Sequence, residues 1–295
     1  MTSRKGNALG DYLRARRELL RPEDVSLPRT AGRRRVPGLR REELALLAGI
    51  SADYYLRLEQ GRDRRPSPQV LDAIANALGL DEAARAHLHR LATQEQTRRR
   101  SVRRSPERVP PGVLRLLESA IDRPAYVLGR LMDVLAANDL AQALSPVYAP
   151  GTNMVRAMFL EPGHAEMHGQ DKHALAGLVA CLCLRAGPDI DNPRLAELVG
   201  ELSIRSDTFR RLWARQDVRS PARGSMNIEH PQVGPLELHF EKFLVPDAPD
   251  QQLVIFNAEP GSRSGDALAL LASLPKIRTH SDAPSAPEQH QRASS

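Results

Sequence analysis

Between Ser51 and Gln60 the residue types and their spacing suit the reading of a polyanion. In SADYYLRLEQ, Ala52, Asp53, Tyr54, Arg57 and Gln60 fall on one side of a helix, and Tyr55 and Leu58 on the other. Arg57 can give two hydrogen bonds to guanine O6 and N7 in a major groove. Asp53, one turn earlier, can accept from cytosine N4 or steer that guanidinium, while Ala52 and Tyr54 can touch a thymine methyl group or sugar. The Ser51 hydroxyl can accept an amide of the first turn and start the helix sharply. Arg41 lies before this segment and Arg62, Arg64 and Arg65 follow it. Cations so placed would bind phosphates, adding affinity and salt dependence but no sequence information.

The elements that must position these side chains can be read outward. Glu42 to Ala48 are good helix formers with acidic residues in the first turn, where they complement the helix dipole. Gly49 supplies a residue able to take positive φ, and Ile50 an apolar anchor in the turn. Small Ala45 lets two helices cross closely. Arg41 to Gly61 therefore reads as a helix-turn-helix whose second helix would lie in a major groove.

Three further helices complete an all-α, five-helix domain over residues 1–93. The first is Ala8 to Leu20, with Leu9, Leu13 and Leu20 inward and Arg14, Arg16 and Arg17 outward. The others are Gln69 to Leu78, capped by Pro66-Ser67-Pro68, and a last one from Asp81 to about Ala92. Between the first two helices, Arg21 to Gly38 is an irregular Pro-, Gly- and Arg-rich insert. Its Arg33, Arg34 and Arg35 suit phosphate contact or a minor-groove arm better than a merely solvated loop.

Charge separates the two halves of the 295-residue chain, whose net charge is +6. Residues 1–108 hold 24 Lys/Arg against 14 Asp/Glu, and the remainder 18 against 22. The basic half is the one with the helix-turn-helix, as a double-stranded DNA partner requires. The start, MTSRKGNALG, lacks the apolar core of a signal peptide. No segment runs to about 18 uninterrupted apolar residues, so a cytoplasmic protein with no membrane partner is expected. Cys181 and Cys183, two apart in an apolar helical run, read as buried small hydrophobes rather than as a disulfide or a redox pair.

Residues 94–111, QEQTRRRSVRRSPERVPP, form a basic linker, and the text then changes character. A short helix (Gly112 to Ile121) precedes two strands around Gly129 and Arg130. Helices are predicted at Met154–Leu160, Ala174–Arg185, Pro193–Ile204 and Asp207–Arg215. Strands follow at Ser225–Glu229, Leu236–Leu244 and Leu253–Ala258. In the middle one Leu236, Leu238 and Phe240 alternate with Glu237, His239 and Glu241, which argues for one buried face. A helix over Gly265–Leu274 ends an α+β domain at residues 112–276. The tail, 277–295, has a disordered composition.

The runs VPGLRREELALLAGISADYYLRLEQGRDRRPSPQVLDAIANALGL, RPAYVLGRLMDVLAAN, NMVRAMFLEPG, LAELVGELSIRSDTFRRLWARQDV, HPQVGPLEL and AEPGSRSGDALALLASL resemble the MmyB-like regulators of actinobacteria over nearly the whole chain. The first ninety residues are similar to the xenobiotic-response-element family of phage-repressor-type DNA-binding domains. The resemblance implies a sequence-specific transcriptional regulator with a PAS-like C-terminal domain holding a small apolar or fatty-acid-like ligand, and no cofactor. GHAEMHGQDKH, after Pro162, departs from the family pattern, which carries an aromatic there. A ligand of that kind needs aromatic and aliphatic walls and a fixed polar or cationic group. Tyr126, Met132, Phe159 and Trp213 are candidates for the walls, and Asn138, Arg156 and Arg205 for the head.

His164 and His168 have the four-residue spacing of two metal ligands, with Glu161 nearby, but no third ligand set accompanies them, so no metal is expected. His230 and His239 suit ordinary strand hydrogen bonding. The chain carries no nucleophile elbow, phosphate loop or dinucleotide fingerprint, which argues against an enzyme. A homodimer reading a pseudo-palindrome is the expectation. The competing reading makes the second domain a dimerisation or protein-contact module without ligand, and an enzymatic second domain ranks below both.

Overall fold

The computed structural model describes residues 7–25, 38–63, 65–97, 107–168, 172–186, 192–219 and 221–274. The insert arginines Arg33, Arg34 and Arg35, the linker run Arg98 to Arg104, Arg64 and the tail from residue 275 lie outside those residues.

Five helices form the N-terminal domain: α1 (Ala8–Leu19), α2 (Arg41–Leu47), α3 (Ala52–Glu59), α4 (Pro68–Ala77) and α5 (Glu82–Thr97). Each of α1, α3 and α4 begins on a side-chain cap. Asn7 accepts from the Gly10 amide, Ser51 from Tyr54 and Ser67 from Val70, each satisfying an amide that the helix itself leaves unpaired. The connection between α2 and α3 is short because Gly49 takes φ +66°. Leu9, Tyr12, Leu13, Leu44, Ala45, Tyr55, Leu58 and Ile74 form the core. Where α1 crosses α3, a Cβ at Gly10 would lie 2.4 Å from the Glu59 carbonyl, so only glycine permits the approach.

Two expectations are corrected here. Arg17 does not face solvent; it is 5% exposed, because it neutralises a carboxylate buried in the same core. The last helix does not stop near Ala92 but runs to Thr97, several residues into the segment assigned to the linker.

The C-terminal domain opens with α6 (Pro111–Ser119), β1 (Ala125–Leu128) and β2 (Val134–Ala137). Next come α7 (Asp139–Leu144), α8 (Met154–Leu160), α9 (Pro162–Met167), α10 (Lys172–Ala186), α11 (Pro193–Arg205) and α12 (Asp207–Ala214). It closes with β3 (Arg223–His230), β4 (Gly234–Val245), β5 (Ala248–Asn257) and α13 (Arg263–Ser273). The strands form one antiparallel sheet in the order β2-β1-β5-β4-β3.

Side-chain alternation gives this sheet two faces. Ala125, Val127, Leu253 and Ile255 meet α6 through Val113, Leu114 and Leu117. On the opposite face Tyr126, Leu128, Leu236, Leu238, Val254 and Phe256 join the core shared with the helical layer. The alternation expected of β4 is present, with Leu236 and Leu238 buried and Glu237 and His239 exposed. The short helix α7 was not anticipated, being too brief for periodicity to mark.

Candidate functional site

The exposed side of α3 carries the residues expected on a groove-reading face. Ser51, Ala52 and Asp53 are exposed, and Tyr54, Arg57 and Gln60 partly so. Arg57 bonds Asp53 one turn earlier, and its guanidinium carbon lies 5.6 Å from the Tyr54 ring centre. The Asp53 carboxylate thus steers Arg57, and Tyr54 supports it from the side. Arg62 and Arg65 are exposed beyond the end of the helix.

The opposite side of α3 is anchored by a residue that sequence reasoning passed over. Glu59, with a fully covered side chain, receives Arg17 Nε at 2.7 Å and Arg41 Nε at 2.6 Å, with Arg14 Nε at 3.9 Å. Its backbone carbonyl accepts from Asn7 Nδ2 at 2.8 Å. Burial works against the Arg17 charge, but the hydrogen bond and charge of Glu59 outweigh it and raise the guanidinium pKa. Arg41 commits its Nε to Glu59, while the side chain stays about half exposed at the start of α2. The signal available was spacing, since Glu59 follows buried Tyr55 by four residues on the same face, at a helix end where the dipole disfavours an acid.

In the C-terminal domain the four expected wall residues fall into two aromatic groups and a turn. Tyr126 stacks on Tyr148 with centroids 4.8 Å apart, and Phe256 lies 5.3 Å from Tyr148. Phe159 meets Phe209 edge to face at 5.4 Å, and Phe209 stacks on Trp213 at 5.8 Å. Met132 is buried in the turn after β1 with φ +68°. Tyr148 and Phe256 were not singled out from sequence, and Phe209 was not among the wall candidates, although the three complete both groups.

The three expected head-binding residues are elsewhere. Asn138 is the cap of α7: its Oδ1 accepts from the Ala125 and Ala141 amides, and its Nδ2 donates to the Arg123 and Ile121 carbonyls. All its hydrogen-bonding capacity is used by backbone. Arg156 and Arg205 both bind Glu201, at 2.7 and 2.9 Å, with side chains more than half exposed. Arg156 borders an open groove of about 400 Å³ shared with Asp133, Asn153, Arg194, Glu197 and Glu201, a charged lining rather than an apolar one.

Helix α9 separates the histidines. His164 engages Glu161 at 2.8 Å, whereas His168 is buried against Ser145 and Tyr148, and burial, aided by His164, lowers its pKa to about 4. Its Nδ1 is buried without a hydrogen-bond partner. His230 accepts from the Gln232 and Val233 amides and bonds the Ala143 carbonyl, which makes it a structural staple. Cys181 and Cys183 are buried and form no disulfide, and burial pushes the Cys183 thiol up. Among the described residues no helix is long and apolar enough to cross a membrane.

An exposed arginine-bearing second helix on a five-helix domain, joined to an α+β domain with an aromatic interior, defines a DNA-binding protein with an appended ligand-binding domain. Residues 109–271 match the MmyB-like transcription regulator ligand binding domain and residues 8–88 a helix-turn-helix domain. The chain belongs to the MmyB-like transcription regulators. No curated protein matches it.

Proposed function

We propose that this DNA-binding transcription regulator is sequence-specific, binds its operator as a homodimer, and responds to a small apolar or fatty-acid-like ligand in the C-terminal domain. The observation that carries the DNA half is the Asp53–Arg57–Tyr54 arrangement on the open face of α3. A preset, partly exposed guanidinium suits bidentate guanine recognition. Arg62, Arg64, Arg65 and the insert arginines Arg33, Arg34 and Arg35 serve phosphates.

Support for an apolar ligand comes from the interior of the second domain. Tyr148 packs against both Tyr126 and Phe256 and donates its hydroxyl to the thioether of Met226, a side chain that can repack around an apolar chain. The surface cations Arg156 and Arg205, which share the single carboxylate of Glu201 and are more than half exposed, are poor candidates for its head group. On this reading the protein acts by binding: its two matched domains are a helix-turn-helix and a ligand-binding domain.

Titration of a fluorescent fragment from its own promoter region, against scrambled competitor at two salt concentrations, tests the DNA half. Binding that survives competitor is expected, whereas equal loss on all DNA overturns sequence-specific reading. Native mass spectrometry of the purified protein tests the other half. A lipid-sized adduct is expected; its consistent absence would favour a contact module instead.

A further inference from the structure

One ion pair joins the two domains across 201 positions of sequence. Arg16, on α1, places Nη1 2.5 Å from Asp217 Oδ1, and the two side chains are 23% and 32% exposed. Asp217 is held from its own side by Arg215 Nε at 2.8 Å. Tyr12, one turn before Arg16, is buried. Burial raises its phenol pKa, and Asp217 and Cys183 of the other domain are near enough to add to that effect. The buried apolar residues of the two domains belong to one cluster.

Each partner is tied to a functional element. Asp217 lies four residues beyond Trp213. Between them Gln216, at φ +50°, donates Nε2 to the Trp213 carbonyl, which ties the turn before Asp217 to the end of α12, the helix that carries Phe209 and Trp213 of the Phe159–Phe209–Trp213 stack. On the other side Arg17, next to Arg16, is locked on Glu59 at the end of the recognition helix α3. The ion pair thus connects two elements, the end of α12 beside the aromatic layer and the stretch of α1 that holds the end of α3.

We propose that the Arg16–Asp217 pair is a latch that docks the DNA-reading domain on the ligand-binding domain, and that displacement of α12 opens it. A ligand that wedges Trp213 or Phe159 out of their stack draws Asp217 from Arg16. α1 then loses its fixed orientation, and α3 with it through Glu59. In a two-fold dimer held by the second domains, the latch sets the separation of the two recognition helices, so opening it weakens binding to paired half-sites. The proposal rests on the regulator function above, but the latch itself can be examined without DNA or ligand.

Spin labels on full-length protein at the exposed positions Gln69→Cys (α4) and Ala196→Cys (α11) report the distance between domains by pulsed electron resonance. A single narrow distance is expected for the parent. Arg16→Glu and Asp217→Lys should each reduce the docked population at least about fivefold and broaden the distribution, and the Arg16→Glu/Asp217→Lys double variant should restore it. Unchanged distances in both single variants, or no recovery in the double, would overturn the latch. If distances respond as expected while no variant binds the promoter fragment, the latch stands and the regulator function falls.

Discussion

At the centre of the DNA-reading domain lies a carboxylate, Glu59, gripped by Arg17 and Arg41 and approached by Arg14. At the centre of the ligand-binding domain lie rings and thioethers, Tyr126, Tyr148, Phe256 and Met226, with no ion pair among them. The ionic hub has demanding geometry, and losing one partner leaves a buried charge, so it holds α1, α2 and α3 in one arrangement. The aromatic and methionine interior has many near-equivalent packings. Recognition of a fixed groove suits the first kind of core, and adjustment to a small molecule suits the second.

The largest effect that would break this contrast is expected at Glu59. Glu59→Ala takes from buried Arg17 its closest carboxylate, leaving only the Leu39 carbonyl and a longer 3.4 Å contact to Glu18, and should cost about 3 kcal/mol. In calorimetry it should lower the melting of the DNA-reading domain ahead of the other. If both domains shift equally, the hub is not a local device. Phe209→Ala makes the converse cut. Removing the ring at the centre of the Phe159–Trp213 stack should cost about 3 kcal/mol and fall on the ligand-binding domain.

Acid should weaken both domains through one histidine each. Burial, with Arg90 adding for His87 and His164 for His168, holds both near pKa 4, below the ordinary value of 6.5. The unfolded chain therefore binds more protons between these values. Stability from each neutral histidine is present above about pH 6.5 and is lost as pH falls toward 4, by about 3 kcal/mol each. Chemical denaturation at pH 7 and pH 4.5 measures this, and His168→Phe should flatten only the contribution of the second domain.

The smallest effects concern DNA. Arg57→Ala should lower discrimination between operator and scrambled sequence by about 1 to 2 kcal/mol. Arg65→Ala should weaken all DNA alike and lessen the salt slope by about one. Competition titrations at several salt concentrations separate the two, and equal losses for both variants would remove Arg57 as a base reader.

Much of the DNA-reading domain was legible because its signals are local. Ser51, Gly49 and the Tyr55–Leu58 spacing state a cap, a left-handed turn and a buried face within ten residues. The inward turn of Arg17 and the tie of Arg41 Nε were missed because their partner, Glu59, is distant in sequence, and an arginine on a helix looks solvated until something buried claims it. In the second domain the strand pattern of β4 was readable for the same local reason, whereas Asn138 looked like a ligand contact and proved to be a helix cap.

Sequence alone determined the five-helix domain with its exposed Asp53–Arg57 face, the charge division between the halves, and the α+β character of the second, because propensity, capping and periodicity act over a few neighbours. Only the tertiary structure decided that Glu59 gathers its arginines, that Arg156 and Arg205 spend their charge on Glu201, and that Arg16 reaches Asp217. Those pairings depend on which distant segments the packed core brings within a few ångströms, and on which charges it removes from water.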